Sequence, residues 1–401
     1  RWGLSAAIAA VLMTAAANGG GLGLTLALLF LAYLACPEEI KRGRRLRKRA
    51  GTRRKEEGGQ GEAEAEKGEK SARQAEGLAG DWSRRRLVTA TAIGAAVFLA
   101  AAGGITVFRY LEFRSPGFDF GIFAQMFEQM RTTGLPLTTC ERGRSLSHFA
   151  VHFSPALYFL LPVYCIFPHP LTLVCLQVAG LALGVLPLGG LCRALGLSRR
   201  TTGWMILAYL AYPALTGGCL YDFHENFMLT PFLLTFLYLV HTKRLRLAAL
   251  AALCVLMVKE DAAIYLLCTS LYLAVRPGAE RRERVFAVVL SCFCVLYFFG
   301  AVAYVSSHGL GTLATVHYSQ YETGEGGFGN IIANILQNPL HVIWVAFRQE
   351  KWLYLIQMFA PLLFLPLIGL KKTQVILLAP MLLFNLMTDY SYQYNIDFQY
   401  Q

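Results

Sequence analysis

Asp119, His148, His152, Asp222, His224, Glu225, Lys259, Glu260 and Asp261 fall in four short polar clusters of an otherwise apolar chain. The clusters are Phe118-Asp119-Phe120-Gly121, His148-Phe149-Ala150-Val151-His152, Asp222-Phe223-His224-Glu225-Asn226 and Lys259-Glu260-Asp261. They offer carboxylates for proton abstraction, imidazoles for hydrogen bonding or proton transfer, and a compact cation for an anionic group. An ionised side chain at mid-bilayer costs roughly 2.5–3.5 kcal/mol on insertion scales, so such residues are rare in membranes and point to function where they occur.

Each cluster also has a plainer reading. Asp119 could cap a helix N-terminus. Its functional reading is a general base in a semi-apolar cleft, where desolvation raises a carboxylate's pKa. His148 and His152 are four apart and would share a helix face, a spacing that suits a metal. No third ligand follows, so hydrogen bonding or substrate contact is the stronger reading. Asp222 to Asn226 packs two carboxylates, an imidazole and an amide between apolar segments, whereas ordinary turns favour Gly, Asn, Ser and Pro. Lys259-Glu260-Asp261 is either self-neutralising or places Lys259 to receive a phosphate. His317, Tyr318, Tyr321 and Glu322 precede a Gly-rich stretch at 324–329, a connector or a substrate-gating loop. The final residues 390–401, with Tyr392 and Gln393, would line a sugar site or form an interfacial aromatic belt.

The elements that carry these residues are membrane spans. The 401 residues are 55% hydrophobic and 15% charged, with a mean hydropathy of +0.45. Several apolar stretches approach the roughly 20 residues that a spanning helix needs, and the alternating ten-residue strands of a membrane barrel are absent from the sequence. Most of the excess behind the net charge of +12 sits in loops that the topology places in the cytoplasm, which reads as cytoplasmic loop chemistry and not nucleic-acid binding. The ten cysteines show no metal or disulfide spacing; those in apolar runs, such as Cys175 and Cys254, read as small hydrophobes.

Residues 4–36, broken by Asn18-Gly19-Gly20-Gly21, read as one tilted span or a hairpin, so 1–36 is taken as an N-terminal membrane segment; Ala15-Ala16-Ala17 also imitates a signal-peptide cleavage site. Residues 37–86 hold 16 Lys and Arg and read as a disordered cytoplasmic linker. A membrane domain over 87–401 follows, truncated at its C-terminus in this reading. Spans are expected near 87–109, 169–192, 203–220, 285–305, 352–370 and 373–388, with shorter arms at 227–240, 247–258 and 262–275. Residues 118–131 are expected as an amphipathic helix in the interface, with Phe118, Ile122, Phe123, Met126, Phe127 and Met130 on one face. This topology puts the basic loops at one membrane face and the polar clusters at the other.

Gly117-Phe118-Asp119-Phe120-Gly121-Ile122-Phe123-Ala124-Gln125, His152-Phe153-Ser154-Pro155, Tyr212-Pro213-Ala214-Leu215, Asp222-Phe223-His224 and Val258-Lys259-Glu260-Asp261 resemble, in order over roughly residues 105–400, the bacterial membrane proteins of domain-of-unknown-function family 2079. Those proteins resemble GT-C glycosyltransferases, which take a sugar from a polyprenyl-phosphate donor and transfer it on the extracytoplasmic face. The paired acid of that group is absent, because Phe120 follows Asp119.

The resemblance implies an all-α, polytopic, GT-C-like transmembrane bundle of about nine to eleven spanning or half-spanning segments, with amphipathic helices in the first outer loop. It implies hexosyl or pentosyl transfer in the plasma (inner) membrane. Asp119 would be the general base, and Lys259 would contact the lipid phosphate. Gln125, His148, His152, Asp222, His224, Glu225, Glu260, Asp261, Tyr392 and Gln393 would complete the substrate site. The partners would be the polyprenyl-phosphate sugar, the lipid bilayer and an acceptor glycan, lipid or protein. No cofactor is required and no metal ligand is assigned, although a divalent cation held by some of Asp119, His152, Asp222 and His224 is an option. The rival classes are a lipid or small-molecule transporter, in which the clusters form a transit path, and a non-catalytic scaffold that recruits partners through the linker.

Overall fold

The computed structural model describes residues 81–115, 117–308, 317–322, 327–368 and 370–398. The expected N-terminal segment 1–36 and most of the linker 37–86 lie outside the described residues.

The fold is a helical bundle. Among the described residues the strands are a two-residue antiparallel pair, Leu137–Thr138 with Leu146–Ser147. Four helical stretches are long and apolar enough to cross a membrane: Arg84–Leu111, Pro170–Ala194, Arg199–Tyr221 and Arg281–His308. Shorter apolar helices cover Leu245–Leu256, Ala262–Val275 and Lys372–Met387. A 28-residue helix extends about 42 Å at 1.5 Å per residue, more than the ~30 Å hydrocarbon core.

Local chemistry sets the breaks. Ser83 caps the first span by accepting from the Arg86 N–H. Gly184 divides the second into Pro170–Leu183 and Val185–Ala194, and a Cβ there would lie 2.2 Å from the Tyr209 hydroxyl oxygen. Pro213, with no N–H to donate, ends Arg199–Leu210 and starts Pro213–Tyr221 at its first position. The expected continuous return near 352–370 is instead Gln349–Phe359 followed by short turns. Leu363 and Phe364 are both left-handed there, and Pro361 and Pro366 deny the helix two donors.

The helix after the first span runs Gly117–Thr133. Its buried face is Phe120, Ile122, Phe123, Met126, Phe127 and Met130, and all of these but Ile122 cluster with Leu157, Tyr164, Leu173 and Phe223. Phe118, expected on that face, is exposed. At 100° per residue the buried arc runs from Ile122 round to Phe120, and Phe118 falls just outside it.

Leu245–Leu256 and Ala262–Val275 form a helical hairpin whose tip is buried, with Val258 and Lys259 0% and 3% exposed. Ala248, Ala251 and Ala252 keep its packed face small, which lets neighbouring backbones approach. The tip is pinned where the Ala156 N–H donates to the Met257 carbonyl and the Tyr297 hydroxyl to the Leu256 carbonyl. This hairpin and the helix Leu229–His241 run between the polar clusters at one end and the basic turns at the other.

Candidate active site at the polar end of the bundle

The Pro213–Tyr221 helix ends by releasing its chain into extended backbone at Asp222 and His224. Asp222 faces the Gly117–Thr133 helix. Its Oδ2 accepts from the Phe120 N–H at 2.9 Å and its Oδ1 from its neighbour Phe223 at 2.8 Å. It thereby serves an otherwise unpaired donor in the first turn of the helix that carries Asp119. Both oxygens are engaged with backbone and the residue is buried, so Asp222 positions Asp119 from behind. Burial pushes the Asp222 carboxyl up to about 8, against the pull of the two N–H donors and the Arg109 guanidinium.

Asp119 itself lies in the helix's first turn and not at its cap. His224 Nε2 stands 3.3 Å from Asp119 Oδ2, an ion-pair distance without hydrogen-bond alignment. The Asp119 side chain is 29% exposed and that of His224 7%, so the carboxylate is the more accessible of the two.

Glu225 follows His224 and turns the other way. Its Oε1 lies 3.3 Å from the Lys259 Nζ, with both side chains buried. Burial raises the Glu225 carboxyl, but Lys259 and the imidazoles of His224, His152 and His148 outweigh it and hold the group near 2. Glu260 accepts from the Phe153 N–H at 2.9 Å and meets His152 Nδ1 at 2.8 Å. The Lys259-Glu260-Asp261 turn is therefore not simply self-neutralising, because two of its charges are matched by residues far away in sequence. Asp261 sits within electrostatic reach of Lys259, Glu260, His152 and Glu225, and burial raises its carboxyl.

His148 is buried against Glu141, with Nδ1 to Oε2 at 3.1 Å. Its ring lies 5.9 Å from that of His152 and 5.5 Å from Phe123, and Phe123 is 5.5 Å from His224 on another side. His148 Nε2 and Glu225 Oε2 are buried without hydrogen-bond partners among the described residues. Both therefore retain bonding capacity for a polar ligand. Among the described residues no three His, Cys, Asp or Glu side chains are arranged to hold a metal ion.

Asp119, Asp222, His224, Glu225, Lys259, Glu260, Asp261, His148 and His152 are thus brought into one connected neighbourhood. Gln125 stands apart. Its Oε1 accepts from the Thr139 and Cys140 N–H groups and the Thr138 hydroxyl, tying down the small strand turn. Gln393 is buried near the C-terminal edge. Tyr392 is half-exposed and packs on Phe398 with ring centroids 4.8 Å apart.

Three contributors lie outside the sequence expectation. Gln177 donates to the Asp222 and Cys219 carbonyls and accepts from the His224 N–H, so one amide fixes the extended segment from Asp222 to His224. Its signal was a lone amide in an apolar span. Glu141 holds His148 from a loop that carries no pattern. Phe398 packs on Tyr221 at 4.4 Å and on His224 at 5.8 Å, and only the fold brings it there.

Apolar spanning helices with polar groups gathered at one end make this a helical membrane protein with a lipid bilayer for its surroundings. The chain belongs to a family described as predicted membrane protein, domain of unknown function 2079, whose model matches residues 109–401. Comparison with curated proteins and with solved structures gave no match.

Proposed function

We propose that the chain is a membrane glycosyltransferase that moves a hexosyl or pentosyl group from a polyprenyl-phosphate donor to an acceptor hydroxyl at the polar end of the bundle, on the extracytoplasmic side. The observation that carries this reading is the back-to-back arrangement of His224 and Glu225. One holds Asp119, a partly exposed carboxylate, and the other holds the buried cation Lys259.

In this reading Asp119 accepts the proton of the acceptor hydroxyl as its oxygen bonds to the anomeric carbon. The bond from that carbon to the phosphate oxygen breaks, and the electron pair leaves on the lipid phosphate. Negative charge grows on that phosphate in the transition state, where a fixed positive charge from Lys259 stabilises it most. His224 orients the Asp119 carboxylate, and Asp222 fixes the helix turn beneath it. The acceptor's proton ends on Asp119 and passes to solvent. The sidedness rests on the basic turns, which favour the cytoplasm.

The test uses purified protein in lipid nanodiscs with a panel of polyprenyl-phosphate hexoses and pentoses. Mass spectrometry would follow the appearance of sugar-free polyprenyl phosphate. Its accumulation with at least one donor supports transfer. Donor binding without turnover across the panel would sink the enzyme reading and favour a transport path.

A further inference from the structure

The opposite end of the bundle holds a second built feature. A cleft of about 340 Å³ is lined by Lys243, Arg244, Leu245, Arg246, Leu247, Glu280, Arg282 and Glu283. It lies where the turn after Leu229–His241 meets the start of Arg281–His308. Both acids are already engaged. Glu283 is buried between Lys243 and the Arg276 guanidinium, the latter at 2.7 Å, and Glu280 meets Lys243 at 3.0 Å. Arg276 also donates to His241 Nε2, whose Nδ1 donates to the Leu237 carbonyl. This network anchors one wall of the cleft. The side chains of Arg244, Arg246 and Arg282 have no ion pair or hydrogen bond among the described residues.

One further observation points to an anion. The Leu245–Leu256 helix opens into the cleft with no side-chain cap at Arg244, and the N–H groups of an uncapped first turn attract negative charge. Lys243 is left-handed at φ 62°, a position after a helix that glycine usually takes. Its side chain is held there by Glu280 and Glu283.

The surface beyond the cleft is apolar. Leu247, Leu250 and Leu253 form an exposed stripe on one helix, and Val285, Val288 and Val289 are exposed on the other. A soluble phosphate has no use for such a surface, whereas acyl chains do. We infer that the cleft seats the phosphate of an anionic phospholipid from the leaflet at the basic end, with its acyl chains along the leucine stripe. This site is independent of the proposed transfer reaction, because it lies a hairpin's length away.

The test is lipid retention by native mass spectrometry. Protein would be released from vesicles of phosphatidylcholine with or without phosphatidylglycerol. Wild type should keep a phosphatidylglycerol molecule, and the triple variant Arg244→Gln, Arg246→Gln, Arg282→Gln should hold it about 100-fold more weakly, from roughly fivefold per basic residue near the surface. The matching Arg→Lys triple keeps the charge and should restore most retention, which separates recognition from misfolding. Lys243→Gly relieves the left-handed backbone and should still lose retention. Equal retention by wild type and the Gln triple would overturn the site. Inorganic phosphate at millimolar concentration displacing the lipid would also overturn it, in favour of a soluble phosphate ligand.

Discussion

His224 and Glu225 are chain neighbours that serve opposite partners. His224 reaches Asp119 in the Gly117–Thr133 helix, and Glu225 reaches Lys259 at the tip of the buried hairpin. Extended backbone at His224, with φ −147° and ψ 144°, makes this geometry available, because successive side chains in extended chain point to opposite sides. Two elements more than 100 positions apart are thus set in register by one dipeptide.

Breaking one side of the Lys259–Glu225 pair should be costly. Glu225→Gln leaves a buried ammonium facing a neutral amide, and one-sided loss of a buried pair typically costs about 3–5 kcal/mol. The double variant Glu225→Leu, Lys259→Met should recover much of that stability and lose activity. Thermal unfolding in detergent checks the first statement and the donor assay the second. A Glu225→Gln protein as stable as wild type would show that the pair does not carry the local fold.

Asp222 should make stability depend on pH. Its folded pKa, near 8, lies above the ordinary carboxylate value. The fold therefore favours the protonated form, and its contribution is fully present below about pH 4 and is lost as pH rises toward 8. The depressed carboxyl of Glu225 acts in the opposite sense, through loss of stability as pH falls toward 2. Between pH 5 and 8 wild type should therefore lose stability more steeply than Asp222→Asn, by no more than about 1.4 kcal/mol per pH unit. Parallel curves for the two proteins would mean that Asp222 is ionised throughout.

Gly217 should not tolerate a side chain. A Cβ there would lie 2.4 Å from the Ile396 carbonyl oxygen and 2.9 Å from the Asp397 Cα. The obstacle is backbone, so the C-terminal stretch itself must move. That stretch brings Phe398 against Tyr221 and His224. Gly217→Ala should keep the helical content, lower the melting temperature and reduce donor turnover. Full turnover in this variant would show that Phe398 has no influence on the site.

The spans and the buried hairpin tip were legible because both rest on local pattern. Apolar length gives the spans, and arms of 12 and 14 residues are too short to bring Lys259 to the surface. The polar clusters were visible because charge is rare in apolar sequence. Their pairings were not, since nothing near Lys259 shows that Glu225, 34 positions earlier, would lie 3.3 Å from its ammonium. Asp222 looked like a substrate contact, and only the fold shows both oxygens committed to the Phe120 and Phe223 amides. Gln125 shows the same limit, because a side chain that braces a turn and one that binds a sugar look alike in sequence.

The central claim is that Asp119 removes a proton in a chemical step. The direct measurement is single-turnover release of polyprenyl phosphate by Asp119→Asn beside wild type, with donor binding measured on the same samples. The amide is nearly isosteric and cannot act as a base, so turnover should fall by about 10²–10⁴-fold while donor affinity stays within about twofold. Turnover equal to wild type in Asp119→Asn would contradict the account.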